Sequence, residues 1–139
     1  MVHADIAEVA GIEDQVLSSW SAKLLAAELQ VANGCQFVAE LAPSIVGWCC
    51  CRLIAPEAEL LKIAVDKRYR RQGVGSLLLC WLITELRRQK IETLFLELRA
   101  ADKEAAGFYE QQGFLQVGVR PAYYADPPDS ARLLCKSIR

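Results

Sequence analysis

LKIAVDKRYRRQGVGSLLL, residues 61–79, places an apolar segment, a basic loop and the start of a helical pattern side by side. The apolar segment ends at Val65, basic side chains follow, and Gly73 and Gly75 introduce an amphipathic pattern. Glycine lets the backbone turn sharply, and the first turn of a helix presents unpaired N–H groups at the positive end of its dipole. The segment therefore predicts a strand–loop–helix unit suited to an anion such as a pyrophosphate. An ordinary basic turn before a surface helix is the alternative.

The loop differs from two common phosphate-binding motifs. A Walker A loop needs Gly-Lys-Ser/Thr, which does not follow here, so an ATPase is not favoured. The dinucleotide-binding fingerprint needs a third glycine beyond Gly75, where Leu78 and its neighbours are bulky. Neither of these two motifs therefore describes the loop.

Hydrophobic periodicity extends the prediction along the rest of the chain. Two short helices come first, the second beginning after Trp20-Ser21. The predicted elements that follow are strands 36–41, 45–54 and 59–65, helix 75–89, strand 93–98, helix 103–112, strand 115–120, a long loop at 121–131 and strand 132–138. This order predicts an α/β fold with a mixed central sheet flanked by helices and joined through helical crossovers in the middle.

Length and composition limit the possible functions. A chain of 139 residues, 53% hydrophobic and 24% charged, is expected to form a single domain, 1–139. A net charge of −1 leaves no surplus for a run of phosphates, so we expect no direct nucleic-acid binding. The longest apolar run, Leu77–Ile83, is too short to cross a bilayer, and the acidic start is unlike a signal peptide. We therefore expect a cytoplasmic protein with no membrane contact.

The six cysteines do not have the spacing of a metal site. No Cys-x-x-Cys pair occurs, and the only histidine is His3. Cys49, Cys50 and Cys51 alternate across a predicted strand, so they cannot all face one ion. We predict a packed, reduced core and no metal.

Three segments resemble the GNAT acetyltransferases. Arg70-Arg71-Gln72-Gly73-Val74-Gly75 resembles the family's R/Q-x-x-G-x-G/A loop, which binds the pyrophosphate of acetyl-CoA. Residues 94–100, LFLELRA, and 106–114, AGFYEQQGF, resemble its L-E-V-R and L-Y-E-x-x-G-F motifs. With Tyr123-Tyr124 following, the pattern is similar to RimI-type ribosomal-protein alanine N-acetyltransferases from about Leu61 to the C-terminus.

The resemblance implies a fold and a cofactor site. The fold would be the GNAT order α-α-β-β-β-α-β-α-β-β, with the family's usual first strand missing. Backbone groups of Ile63, Ala64 and Val65 would pair with the pantetheine arm of acetyl-CoA as if it were another strand. The pyrophosphate would be wrapped by Arg71, Gln72, Gly73, Val74, Gly75 and Ser76. Asp102 stands where the family usually has an asparagine that touches the cofactor.

The resemblance also implies catalytic roles, with Glu97 as general base and Tyr109 as general acid. Neutralising a protein α-amine of pKa about 7.7–8.0 at pH 7 costs roughly 1 kcal/mol, against roughly 4–5 kcal/mol for a lysine amine near 10.4. One carboxylate is adequate for the α-amine. A tyrosine of pKa near 10 stays protonated and can donate to a thiolate. By pattern alone, Glu97 is a solvent-facing strand residue and Tyr109 a core aromatic.

The acceptor is less defined than the cofactor. By resemblance, Tyr123 and Tyr124 lie at the amine entrance, although paired loop aromatics can equally close the sandwich. The expected partner is a protein N-terminus, specifically the terminal alanine of a ribosomal protein, and the enzyme is expected to be a monomer or homodimer. Ser130-Ala131-Arg132 replaces the acidic pair that the family usually carries before its last strand. A small-molecule amine as acceptor and a non-catalytic acyl-CoA-binding module are the alternatives.

Overall fold

The apolar segments fold into a six-stranded mixed sheet with helices on both faces, as seen in a computed structural model that describes residues 1–139. The helices are α1 (Ile6–Glu13), α2 (Ala22–Leu29), α3 (Val74–Arg88) and α4 (Lys103–Gln111). The strands are β1 (Gly34–Leu41), β2 (Ser44–Ile54), β3 (Glu57–Val65), β4 (Thr93–Arg99), β5 (Leu115–Ala125) and β6 (Pro128–Ser137). The order of elements confirms the predicted α/β class, and the strands lie side by side as β1-β2-β3-β4-β6-β5. No helix is long and apolar enough to span a bilayer.

Each face of the sheet has its own hydrophobic core. The larger core lies under α3 and α4 and includes Leu82, Leu94 and Leu96. The smaller one lies under α1 and α2 and includes Val9 and Trp48. Of the cysteines in β2, Cys49 and Cys51 belong to the larger core and Cys50 to the smaller one, which confirms the predicted alternation. All six cysteines are free thiols.

The prediction of a long loop at 121–131 is wrong. Strand β5 continues to Ala125 and β6 starts at Pro128, so the two strands form a hairpin with a tight turn. Here β5 is an edge strand, where a missing N–H is tolerated, and Pro128 is the first residue of its strand. A shift of register between Arg120 and Tyr124, with Ala122 at φ +52°, absorbs the irregular residues.

The central pair of strands separates at one end. Strands β3 and β4 run parallel and pair from Glu57 opposite Thr93 to Leu60 opposite Leu96. Beyond that point β3 continues to Val65 beside β2, and β4 continues to Arg99 beside β6. The facing edges of the two strands thus lose their ladder partners, and a notch opens in the middle of the sheet. This notch positions the candidate site.

Candidate active site

Beside the notch, at the end of β3, lies a cavity with a volume of about 800 Å³. The end of β3, the basic loop, the first turn of α3 and the start of α4 line this cavity. Nine of the ten predicted cofactor-binding residues are on its wall: Ile63, Ala64, Val65, Arg71, Gly73, Val74, Gly75, Ser76 and Asp102. The tenth, Gln72, is not on the wall, and its side-chain amide donates to the Arg68 carbonyl over 3.3 Å.

The loop between β3 and α3 has the backbone expected of an anion cradle. Gly73 precedes α3 and has φ +84°, a left-handed conformation that glycine adopts at little cost. Arg71 is also left-handed, at φ +63°. The first bond along the helix runs from Leu77 N–H to the Gly73 carbonyl over 3.0 Å. The N–H groups of the three residues between them therefore have no partner within the helix and can bind a negatively charged group.

A buried carboxylate fixes the start of this loop. Asp66 accepts from the backbone N–H of Arg68 at 2.9 Å and forms an ion pair with its guanidinium at 3.0 Å. These contacts with Arg68 hold the pKa of the Asp66 carboxyl well below its usual range. From the α1–α2 loop (residues 14–21), the Gln15 amide oxygen accepts from Lys67 N–H at 2.8 Å. The sequence pattern did not single out Asp66 or Gln15 as positioning groups.

Tyr109 lies on the cavity wall, in the last turn of α4. Its ring is buried and packs edge-on against Phe108 and Phe114, with ring centroids 5.1 and 5.4 Å apart. Burial, and secondarily the charge of Asp102, raises the pKa of the Tyr109 hydroxyl. No hydrogen bond ties the hydroxyl to the protein, and no fully buried side-chain polar atom lacks a partner, so the hydroxyl reaches the cavity surface. A protonated donor is therefore available there.

Asp102 caps the N-terminus of α4, because its Oδ1 accepts from the Ala105 N–H at 3.0 Å. This cap explains how an aspartate is accommodated at a position where the family usually has asparagine, since both residues are good N-caps. The carboxylate remains on the cavity wall.

Glu97 lies on the opposite face of the sheet from Tyr109. In β4, Leu94, Leu96 and Leu98 face the larger core together with Tyr109, so the alternation of side chains directs Glu97 to the other face. There it lines a second cavity of about 200 Å³, and Arg120 Nε lies 3.2 Å from its Oε1. The two predicted catalytic residues thus lie on opposite faces of the sheet and line two different cavities.

The paired tyrosines are in strand β5, and their predicted placement in a loop is wrong. Tyr123 is exposed, and the charge of Glu97 raises the pKa of its hydroxyl. The Tyr124 ring lies 5.0 Å from the Tyr123 ring and 4.2 Å from the Arg99 guanidinium. Both tyrosines belong to the face that carries Glu97, and neither lines the larger cavity.

Sequence reasoning missed a buried acid that holds the α1–α2 loop. Glu13 is fully buried and accepts from Trp48 Nε1 at 3.1 Å and from Trp20 N–H at 2.9 Å. The Lys62 ammonium lies 3.2 Å from the same carboxylate. The only signal in the sequence is that Glu13 continues the apolar spacing of Ile6 and Val9 along the first helix.

Comparisons with known proteins agree with this geometry. A model described as the acetyltransferase (GNAT) family matches residues 6–114. The ribosomal protein bS18 alanine N-acetyltransferase of Escherichia coli strain K12 is 44% identical over 73 residues, which cover 52% of this chain and 49% of the relative. Its counterpart in Haemophilus influenzae is 39% identical over 83 residues, covering 60% and 56%. The matched segment spans about half the length of these curated relatives.

Solved structures extend the likeness over the whole fold. The ribosomal-protein-S18-alanine N-acetyltransferase from Escherichia coli has a TM-score of 0.90 at 31% identity, covering 99% of this chain and 90% of that chain. Ard1 from Thermoplasma volcanium has a TM-score of 0.93 at 28% identity, covering 100% and 95%. The resemblance predicted from the loop and strand motifs is confirmed: the chain belongs to the acetyltransferase (GNAT) family, and it is related to the ribosomal-protein alanine N-acetyltransferases.

Proposed function

We propose that this protein transfers an acetyl group from acetyl-CoA to the α-amine of a protein N-terminus, with an N-terminal alanine of a ribosomal protein as the preferred acceptor. The observation that carries the proposal is the notch between β3 and β4. The cavity with the anion cradle and Tyr109 lies beside it on one face of the sheet, and Glu97 lies on the other face. A cofactor and an acceptor can therefore meet at the notch from opposite sides of the sheet.

The cofactor side supplies two kinds of recognition. Strand β3 has no β4 partner at Ile63–Val65 and offers backbone groups there to the amides of a pantetheine arm, in the manner of an added strand. The Val65 carbonyl accepts from Arg70 Nε at 3.0 Å. The left-handed loop at Gly73 and the free N–H groups of α3 suit a pyrophosphate. Asp102 contributes to the wall and keeps the start of α4 in place.

The reaction needs one proton removed and one supplied. The acceptor nitrogen attacks the thioester carbonyl carbon, so that a C–N bond forms and the C–S bond breaks. Glu97 takes the proton from the amine, directly or through a water molecule, and Tyr109 gives its hydroxyl proton to the departing sulfur. The raised pKa of Tyr109 keeps that proton in place at neutral pH.

The acceptor assignment rests on the relatives and on the open face around Glu97. The similar proteins of Escherichia coli and Haemophilus influenzae are both named as alanine N-acetyltransferases of ribosomal protein bS18. The side chains of Tyr123 and Arg120 are exposed near Glu97, and Glu97 and Arg120 line the cavity of about 200 Å³, so a peptide terminus can approach from solvent. A ribosomal-protein acceptor would place the reaction in the cytoplasm.

The deciding experiment follows thiol release from acetyl-CoA with peptides starting in Ala, Ser or Met, and with spermidine and free lysine. The matched control is the Ala peptide with an acetylated N-terminus. We expect turnover with the free Ala peptide and none with its acetylated form. Turnover only with spermidine or lysine would assign a small-molecule acceptor. Tight coenzyme A binding without turnover on any acceptor would favour the non-catalytic acyl-CoA-binding module.

A further inference from the structure

Arg99 stands at the end of β4, two residues after Glu97 and on the same face of the sheet. Its guanidinium donates from Nη1 to the Pro127 carbonyl at 2.7 Å and from Nη2 to the Asp126 carbonyl at 3.1 Å. It also lies 4.2 Å from the centroid of the Tyr124 ring. One side chain thus holds both the β5–β6 turn (residues 125–128) and the tyrosine that precedes it.

The same guanidinium reaches a second segment. Arg99 Nη2 donates to the Ser18 hydroxyl at 3.1 Å, across 81 positions of sequence. Ser18 lies in the α1–α2 loop with φ +58°, a conformation that L-residues adopt only when surrounding contacts enforce it. Its carbonyl accepts from the Lys62 ammonium at 3.1 Å. Two basic side chains therefore keep this strained residue in place.

We propose that Arg99 is a positioning residue that joins the α1–α2 loop to the β5–β6 turn, so that the two segments form one ordered rim around the acceptor side of the notch. The inference rests on the proposed function, which places the acceptor on the Glu97 face. The planar guanidinium suits this role because it reaches two carbonyls, a hydroxyl and an aromatic face at once, which a lysine ammonium cannot do. No carboxylate is paired with Arg99, so the rim is held by dipoles and stacking.

The cofactor side of the loop has an anchor of its own. Gln15 is bonded to Lys67 N–H, next to the basic loop, and this contact does not involve Arg99. Val16 and Leu17, next to Ser18, also line the larger cavity. Loss of Arg99 should therefore loosen the acceptor side more than the acetyl-CoA side, which keeps the Gln15 contact. In kinetic terms, KM for the acceptor should rise by a larger factor than KM for acetyl-CoA.

The test compares Arg99→Ala, Arg99→Lys and Ser18→Ala with the control Arg88→Ala, which removes an exposed arginine paired with Glu85 on α3. Hydrogen exchange is followed in residues 14–21 and 122–128, and KM is measured for the Ala peptide and for acetyl-CoA. For Arg99→Ala we expect faster exchange in both segments and a rise in peptide KM of about 10-fold or more, the scale of lost bonds to a charged group.

The other variants refine the result. Arg99→Lys should restore neither the slow exchange nor the peptide KM of the wild type fully. Ser18→Ala should speed exchange in residues 14–21 alone, with a smaller rise in peptide KM. Arg88→Ala should change nothing. Faster exchange in only one segment of Arg99→Ala, or equal rises in both KM values, overturns the proposal. If the wild-type protein acetylates no N-terminal peptide, the proposed function fails, while the exchange data still decide whether Arg99 joins the two segments.

Discussion

The Nε atom of Arg120 lies 3.2 Å from the Oε1 atom of Glu97 on the open face of the sheet. The Glu97 side chain is 20% exposed and that of Arg120 is 56% exposed, so the carboxylate is the more protected partner. An ion pair with a partner this exposed contributes less than about 1 kcal/mol to stability. The pair therefore contributes little to the stability of the fold. Its effect is expected on the Glu97 carboxylate, which is the proposed general base.

Replacing Glu97 by glutamine should remove the base and keep the size of the side chain. We expect kcat to fall by roughly 10²–10⁴, the usual contribution of a general base, while the melting temperature hardly changes. The matched variant Arg120→Met should also leave the free energy of unfolding within about 1 kcal/mol of the wild type. Steady-state kinetics and thermal melts check both variants. Full turnover by Glu97→Gln would return Glu97 to the role of an ordinary strand residue.

Tyr109→Phe removes a single oxygen from a ring that is otherwise held by Phe108 and Phe114. Because the hydroxyl makes no bond within the protein, the fold should tolerate its loss. Turnover should fall by roughly 10²–10⁴ while acetyl-CoA affinity, measured by calorimetry, stays the same. Phe108→Leu serves as a packing control at the neighbouring position. Unchanged turnover in Tyr109→Phe would exclude it as the general acid.

Gly73→Val should damage cofactor binding through the backbone. A Cβ at Gly73 would have no heavy atom within 4 Å, so the protein itself has room for a side chain. The φ of +84° is the obstacle, since a left-handed conformation costs other residues roughly 1–2 kcal/mol, and a branched side chain would also stand in the anion cradle. We expect a large loss of acetyl-CoA affinity. Gly11→Ala, in α1 with equally open surroundings, is the control and should bind normally.

The sequence predicted the order of elements and the glycine-containing loop before α3 because those features depend on local patterns. Apolar periodicity defined the strands, and a glycine pair before a helix defined the loop around Gly73. Features that depend on distant contacts were not visible. The sequence did not predict that Tyr123 lies in a strand, because prolines lie nearby, and only an edge strand tolerates them. The ties from Arg99 to Ser18 and from Glu13 to Trp48 join residues far apart in sequence, and no local pattern encodes them.

Asp66 makes stability depend on pH in a definite direction. Arg68 and its backbone N–H lower the pKa of this carboxyl in the folded state, so the charged form contributes stability above the unfolded pKa of about 3.9. That contribution is lost as the pH falls below about 4 and through the lower folded pKa. Asp66→Asn should therefore be less stable than the wild type at pH 7, and the gap should shrink below about pH 4. Urea unfolding at pH 7, 5 and 3 measures the difference in the free energy of unfolding between the two proteins. A difference that stays constant with pH would show that Asp66 acts through packing alone.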